Sequence, residues 1–211
     1  MSRFSRSFYD NLLVRQWLPM TDGLVHKLEQ GTRWADVGCG SGLAVIRLAE
    51  AFPNSRFIGY DSFEGQLRLA REAAEAAGVA DRVRFEQLDA TGGLPERYDV
   101  VSAFDVVHDA ADPQALTAAI RHALAPDGTF LILEMNSADD PDDNIGPVAT
   151  LMYGISIVYC MTTSLAHGGA GLGTCGLPPA RVRELCQSAG FNAVEPLDIQ
   201  DPFNSLYVVT P

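Results

Sequence analysis

A chain of 211 residues has room for one domain with a sizeable core. With 47% hydrophobic and 20% charged residues it has a globular composition, which excludes wholesale disorder. Its 15 basic against 27 acidic residues leave a net charge of −12, which repels nucleic acid and anionic lipid surfaces, so neither is an expected partner.

The start, MSRFSRSFYD, lacks the apolar core and cleavage site of an export signal. Four scattered cysteines, none in a CxxC, fit a reducing compartment, and a cytoplasmic location is expected. The lone Lys27 among many arginines hints at a high-GC bacterial source. Residues 1–33 form a separate N-terminal segment rich in apolar side chains (Phe4, Phe8, Tyr9, Leu12, Leu13, Trp17, Leu18), followed by a helix over 21–30. This segment is either a lid across the site or an exposed remnant of an interface. As a remnant it would offer an apolar patch for a homodimer.

From residue 34 strands and helices alternate. Strands are predicted at 34–37, 56–60, 83–88, 98–103 and 129–133, and helices at 43–51, 65–77 and 113–124. Helices of this length between strands imply parallel pairing through right-handed crossovers, hence a doubly wound α/β sheet. From Asn144 to Ala180 there is no Asp, Glu, Lys or Arg. Pro147, Gly154 and a run of Ser and Thr argue against a membrane span there, and a buried helix on the substrate side, then a glycine-rich loop, is expected over 144–180. A helix over 179–189 and two strands at 193–197 and 206–209 complete the chain.

The motif Asp36-Val37-Gly38-Cys39-Gly40-Ser41-Gly42 follows the first strand and opens a helix. Glycines there let the backbone approach a ligand, and the helix start offers free N–H groups. Asp61 ends the second strand, placed to accept bonds from a ribose diol, and Asp89 ends the third. With Asp36 they put three acidic groups at the carboxyl edge of neighbouring strands.

This constellation resembles the cofactor site of class I S-adenosylmethionine-dependent methyltransferases. The resemblance runs from about Trp34 to the end and implies a seven-stranded, mostly parallel Rossmann-like sheet closed by a C-terminal antiparallel hairpin. It implies that Gly38, Cys39 and Gly40 pass under the methionine part and Asp36 holds its ammonium. Asp61 takes the ribose, Ser62 lies beside the adenine, Asp89 and Ala90 sit at the adenine edge, and Ala103 and Phe104 face the sulfonium end. Phe104 is read either as core or as a ring stacked on the cofactor cation. Nicotinamide folds compete at this step, but their GxGxxG fingerprint places the third glycine one residue later.

Val107-His108-Asp109 is similar to the His-Asp pair of small-molecule O-methyltransferases of the caffeate and hydroxyindole type, where the histidine is the general base. A phenol of pKa ~10 is a poor nucleophile until a base takes its proton. Glu134 matches the carboxylate that orients that imidazole, and Asp109 adjoins it or caps the following turn. The alternative is a histidine used for packing. The family's second flanking glutamate would fall within 167–177, which contains no acid. The run 160–174 is similar to a segment of bacterial winged-helix methyltransferases, whose N-terminal domain supplies one wall of the site. The implied partner is a small hydroxyl-bearing acceptor, with S-adenosylhomocysteine as product. The competing readings are a cofactor-binding module without transferase activity, and an NAD-dependent oxidoreductase. No metal is expected, since Cys160, His167, Cys175 and Cys186 lack the spacing of a structural zinc site.

Overall fold

The computed structural model describes residues 6–211. Strands β1 (Arg33–Val37), β2 (Arg56–Asp61), β3 (Val83–Gln87), β4 (Tyr98–Phe104) and β5 (Leu124–Met135) run parallel. β6 (Ala193–Leu197) and β7 (Asn204–Thr210) complete one sheet of order β3-β2-β1-β4-β5-β7-β6, with β7 antiparallel to both its neighbours. This is the doubly wound, seven-stranded α/β sheet with a C-terminal hairpin that the alternation and the resemblance called for.

Within these strands successive side chains enter opposite layers. Trp34, Phe57, Val100, Leu131 and Leu133 join one core, while Ala35, Ile58, Val101, Phe130 and Ile132 join the other. Such strands have no polar face because helices cover both sides. The first layer is built on α3 (Leu43–Ala51) and α4 (Glu64–Ala76), the second on α5 (Pro113–Ala123) and α7 (Pro179–Ser188). The strand order reverses between β1 and β4, and the crevice outside their carboxyl ends is where sheets of this kind take ligands. There Asp36 lies beside Ser102 and Val37 beside Ala103, while Phe104 is level with Leu133 of β5.

The N-terminal segment differs from the remnant alternative. It forms α1 (Tyr9–Trp17, with π-type turns) and α2 (Leu24–Gln30). Tyr9, Leu13 and Trp17, four residues apart, fall on one face and are buried in the first core together with Leu18. Arg47 of α3 pins the segment through Asp10 at 2.5 Å. The expected exposed aromatic patch is therefore not found at these positions; Phe4 lies outside the described residues.

The uncharged helix is also corrected. It is one run, α6 (Pro147–Ala166), and it is mostly exposed rather than buried. Only Met152, Ser156, Cys160 and Ser164 are buried, a stripe of four-residue spacing, while Ile157, Val158, Tyr159 and Leu165 face outward. Glycines of the following loop let it pack tightly: a Cβ at Gly169 would lie 2.4 Å from Ala111 Cα, and one at Gly173 would lie 2.1 Å from Ser156 Oγ of α6. By length and composition α6 alone among the helices of the described residues could cross a membrane.

Candidate active site

The turn after β1 is left-handed at Gly40 (φ +53°), where a Cβ would meet nothing within 4 Å. Conformation, not crowding, calls for glycine there, and the open space is a cradle. Gly40 N–H donates to Asp61 Oδ2 at 2.9 Å and Phe63 N–H donates to Asp61 Oδ1 at 2.9 Å. Two backbone donors thus hold the carboxylate at the end of β2, each oxygen keeping a lone pair for a diol. Cys39 is held as a thiol, because burial and the nearby Asp36 and Asp61 all raise its pKa.

Asp36 is buried and accepts from Ser102 Oγ at 2.5 Å, and Ser102 in turn accepts from Trp34 Nε1 at 2.7 Å. Burial outweighs that bond and, helped by Asp61, pushes the Asp36 carboxyl up to about 7. Among the described residues, no cationic side chain contributes to its environment. A buried carboxyl that lacks a counter-ion, set beside an open glycine turn, fits the ammonium of an amino-acid-bearing cofactor. Asp89 follows β3 and accepts from the N–H and hydroxyl of Thr91, which holds its pKa down. It thereby caps the short turn Ala90–Gly92 and places buried Ala90 beside it. Ser62 adjoins Asp61, and its carbonyl accepts from Gln87 Nε2 at 2.8 Å. Ala103 is buried in the second core, and the Phe104 ring stacks on Tyr9 at 6.0 Å, which is core packing.

The other half of the edge is built from β4 and β5. Glu134 uses both oxygens: Oε1 accepts from Val107 N–H at 2.9 Å and Oε2 is hydrogen-bonded to His108 Nδ1. One carboxylate therefore fixes both the loop after β4 and the ring it carries. His108 is fully buried. Burial works against its charge, but Glu134, with Cys160 and Asp109 close by, outweighs that and raises its pKa well above the ordinary value. Nε2 stands 3.2 Å from Asp109 Oδ1. Burial likewise raises the Asp109 carboxyl.

The site brings in residues to which the sequence reading gave no role. Asp105 is half-buried at φ 58°, a left-handed turn that Asp tolerates better than most side chains, and desolvation of its carboxyl with Glu134 nearby pushes it up to about 7. Its position directly after an apolar strand was the available signal. Cys160 reaches His108 and Asp109 from α6, and Thr174 Oγ1 contacts its sulfur at 3.3 Å. Nothing local announces that meeting. His167 is exposed and bonds Thr163 O at 2.9 Å within its own loop, away from this cluster.

Residues 35–130 match the family described as Methyltransferase domain. Over 107 residues the chain is 34% identical to the ubiquinone biosynthesis O-methyltransferase of Cereibacter sphaeroides (strain KD131), covering 51% of this chain and 42% of that protein. A protein of the same name from Ruegeria sp. (strain TM1040) is 28% identical over 165 residues, 78% of this chain and 62% of its own. Among solved structures, an O-methyltransferase family protein from Burkholderia thailandensis aligns at TM-score 0.74 and 19% identity over the whole chain and 57% of its own length. NcsB1, an O-methyltransferase from neocarzinostatin biosynthesis solved with S-adenosyl-L-homocysteine and 1,4-dihydroxy-2-naphthoic acid, aligns at TM-score 0.70 and 20% identity, covering 100% of this chain and 55% of that one. The chain thus spans about half the length of the solved structures it matches, and it has their fold.

Proposed function

Starting from a methyltransferase domain in the class I fold, we propose that the chain binds S-adenosylmethionine and methylates a hydroxyl of a small aromatic acceptor, with His108 as general base. The observation that carries this reading is Glu134, which grips His108 Nδ1 and Val107 N–H together at the carboxyl edge that also bears Asp36 and Asp61. When bound, the cofactor supplies a methyl group on a sulfonium, open to in-line displacement by oxygen. Asp36 would hold the ammonium, Asp61 the ribose hydroxyls, and Asp89 with Ala90 the adenine edge. His108 Nε2 takes the acceptor's proton, and Glu134 offsets the charge that develops on the ring while fixing its tautomer. The names of the similar proteins support an oxygen acceptor, and the ligand of NcsB1 supports an aromatic one. Four free cysteines support a reducing, cytoplasmic setting.

A second reading, cofactor binding without transfer, is favoured by one fact. His108 is fully buried beneath α6, so an acceptor reaches Nε2 only if α6 shifts. Calorimetric titration with S-adenosylhomocysteine, with NADH and Asp61→Ala as controls, tests the cofactor. Methyl-transfer assays on a panel of dihydroxy aromatics, with His108→Ala alongside, test the reaction. Cofactor binding with no transfer to any hydroxyl acceptor selects the second reading, and binding of NADH in its place overturns both.

A further inference from the structure

Around the His108 ring the side chains are gathered for something besides a proton. We propose that His108 Nε2, Asp109 Oδ1 and Cys160 Sγ form a binding site for a borderline-soft divalent cation of the zinc type.

These three atoms lie within 4.8 Å of one another, and Nε2 is 3.2 Å from Asp109 Oδ1. Bonds of ~2.0–2.3 Å to a tetrahedral ion set its ligand atoms roughly 3.2–3.8 Å apart, so the cluster is already close to ligating size. Among the described residues, His108 Nε2 and Asp109 Oδ1 are buried with no hydrogen-bond partner outside this cluster.

The surroundings have the form that metal-bound histidines and thiolates usually take. Glu134 accepts the hydrogen bond of Nδ1–H and so turns Nε2 toward the cluster, and Val107 N–H holds that carboxylate in place. The Thr174 hydroxyl contacts Cys160 Sγ. The donor set of imidazole, thiolate and carboxylate suits zinc or cobalt and is unsuited to magnesium or calcium. Asp109, with 24% of its side chain exposed, is the face through which an ion enters. On binding, the Cys160 thiol proton and the Nε2 proton of the imidazolium leave to solvent as the metal–sulfur and metal–nitrogen bonds form.

One consequence rests on the function proposed above: a ring whose Nε2 pair is held by a metal takes no proton from an acceptor, so an occupied site is a silenced one. Cobalt(II) titration of the metal-free chain tests the site without using activity. A complex of one ion per chain is expected, with visible bands of a tetrahedral ion and a thiolate-to-cobalt band in the near ultraviolet, both displaced by zinc. Cys160→Ser abolishes the thiolate band and weakens binding by roughly tenfold or more, Asp109→Asn weakens it similarly, and Cys175→Ser leaves it unchanged. Absence of a one-to-one complex in the wild type, or a thiolate band that survives Cys160→Ser, overturns the site. Zinc is then added to a transfer assay: inhibition of the wild type and at least tenfold weaker inhibition of Cys160→Ser supports silencing. A cobalt complex without inhibition keeps the site and removes His108 from the role of base.

Discussion

The two halves of the sheet's carboxyl edge are assembled in opposite ways. On the β1–β3 side each acidic group is held by partners next to it in the chain or across one pair of strands. Asp61 is gripped by Gly40 and Phe63, Asp89 by Thr91, and Asp36 by Ser102 on the neighbouring strand. On the β4–β5 side the working group depends, beyond its neighbouring strand, on a helix from the C-terminal third. His108 is fixed by Glu134, 26 positions on, and is roofed by Cys160 of α6. Local turns make a rigid receptor, whereas the second half is in place only when β5, α6 and the loop after it have all docked. Substrate chemistry of one type suits a receptor of fixed shape, and a variable acceptor suits a wall that can be rebuilt.

That contrast is broken most sharply at His108. His108→Ala is expected to lower kcat by about 10²–10⁴-fold while calorimetry finds S-adenosylhomocysteine affinity unchanged. If both fall together, the halves are one unit. Asp61→Ala is the reverse cut. It removes a charged acceptor of two backbone bonds at 2.9 Å each, and bonds to charged groups are worth about 1.5–3 kcal/mol. Cofactor affinity is expected to drop roughly tenfold to a hundredfold, read by the same titration.

A pH series sharpens the picture at Asp36. Its carboxyl is raised from 3.8 in the unfolded chain to about 7 in the fold, so the stability it contributes is fully present below pH 3.8 and is lost as pH rises toward 7. A bound ammonium reverses this by favouring the carboxylate. S-adenosylhomocysteine should therefore bind with release of a proton below pH 7, with affinity falling by up to about tenfold per pH unit there. Calorimetry in buffers of different ionisation heat counts that proton, and a count near zero at pH 6 would remove Asp36 as the ammonium's partner. The smallest effect is expected at Thr91→Val. Losing one hydroxyl bond of 2.7 Å to Asp89 should cost about 0.5–1.5 kcal/mol and weaken cofactor binding a few-fold, with kcat at saturation unmoved.

The same contrast governs what could be read before the fold was known. β1 to β4 and the three acidic strand ends were legible because apolar runs, glycines and turns are local signals. β5 was recognised only over 129–133, although it begins at Leu124 directly after α5, because Pro126, Asp127 and Gly128 look like a loop. The His108–Glu134 pair was legible only through resemblance to a family. α6 was read as buried because it carries no charge, but a stripe of Met152, Ser156, Cys160 and Ser164 suffices to dock it and leaves its bulkier side chains outside. Similarly, α1 could be read as lid or remnant until its four-residue spacing met the face of α3. Asp105 and Cys160 had no readable role, since one depends on a backbone turn and the other on a contact 52 positions away from His108.

The glycine that opens the turn after β1 has an implication for redesign. A Cβ at Gly38 would lie 2.4 Å from Cγ2 of Val106, and Val106 stands two residues before His108. On the proposed function, the floor under the cofactor and the approach to the acceptor are thus a single interlocked joint. Directed evolution toward a bulkier acceptor cannot treat the loop after β4 as free sequence space, because enlarging position 106 pushes on the cofactor turn. Libraries that vary 106 while keeping Gly38, whose left-handed φ of +69° other residues rarely adopt, would sample the joint without breaking it.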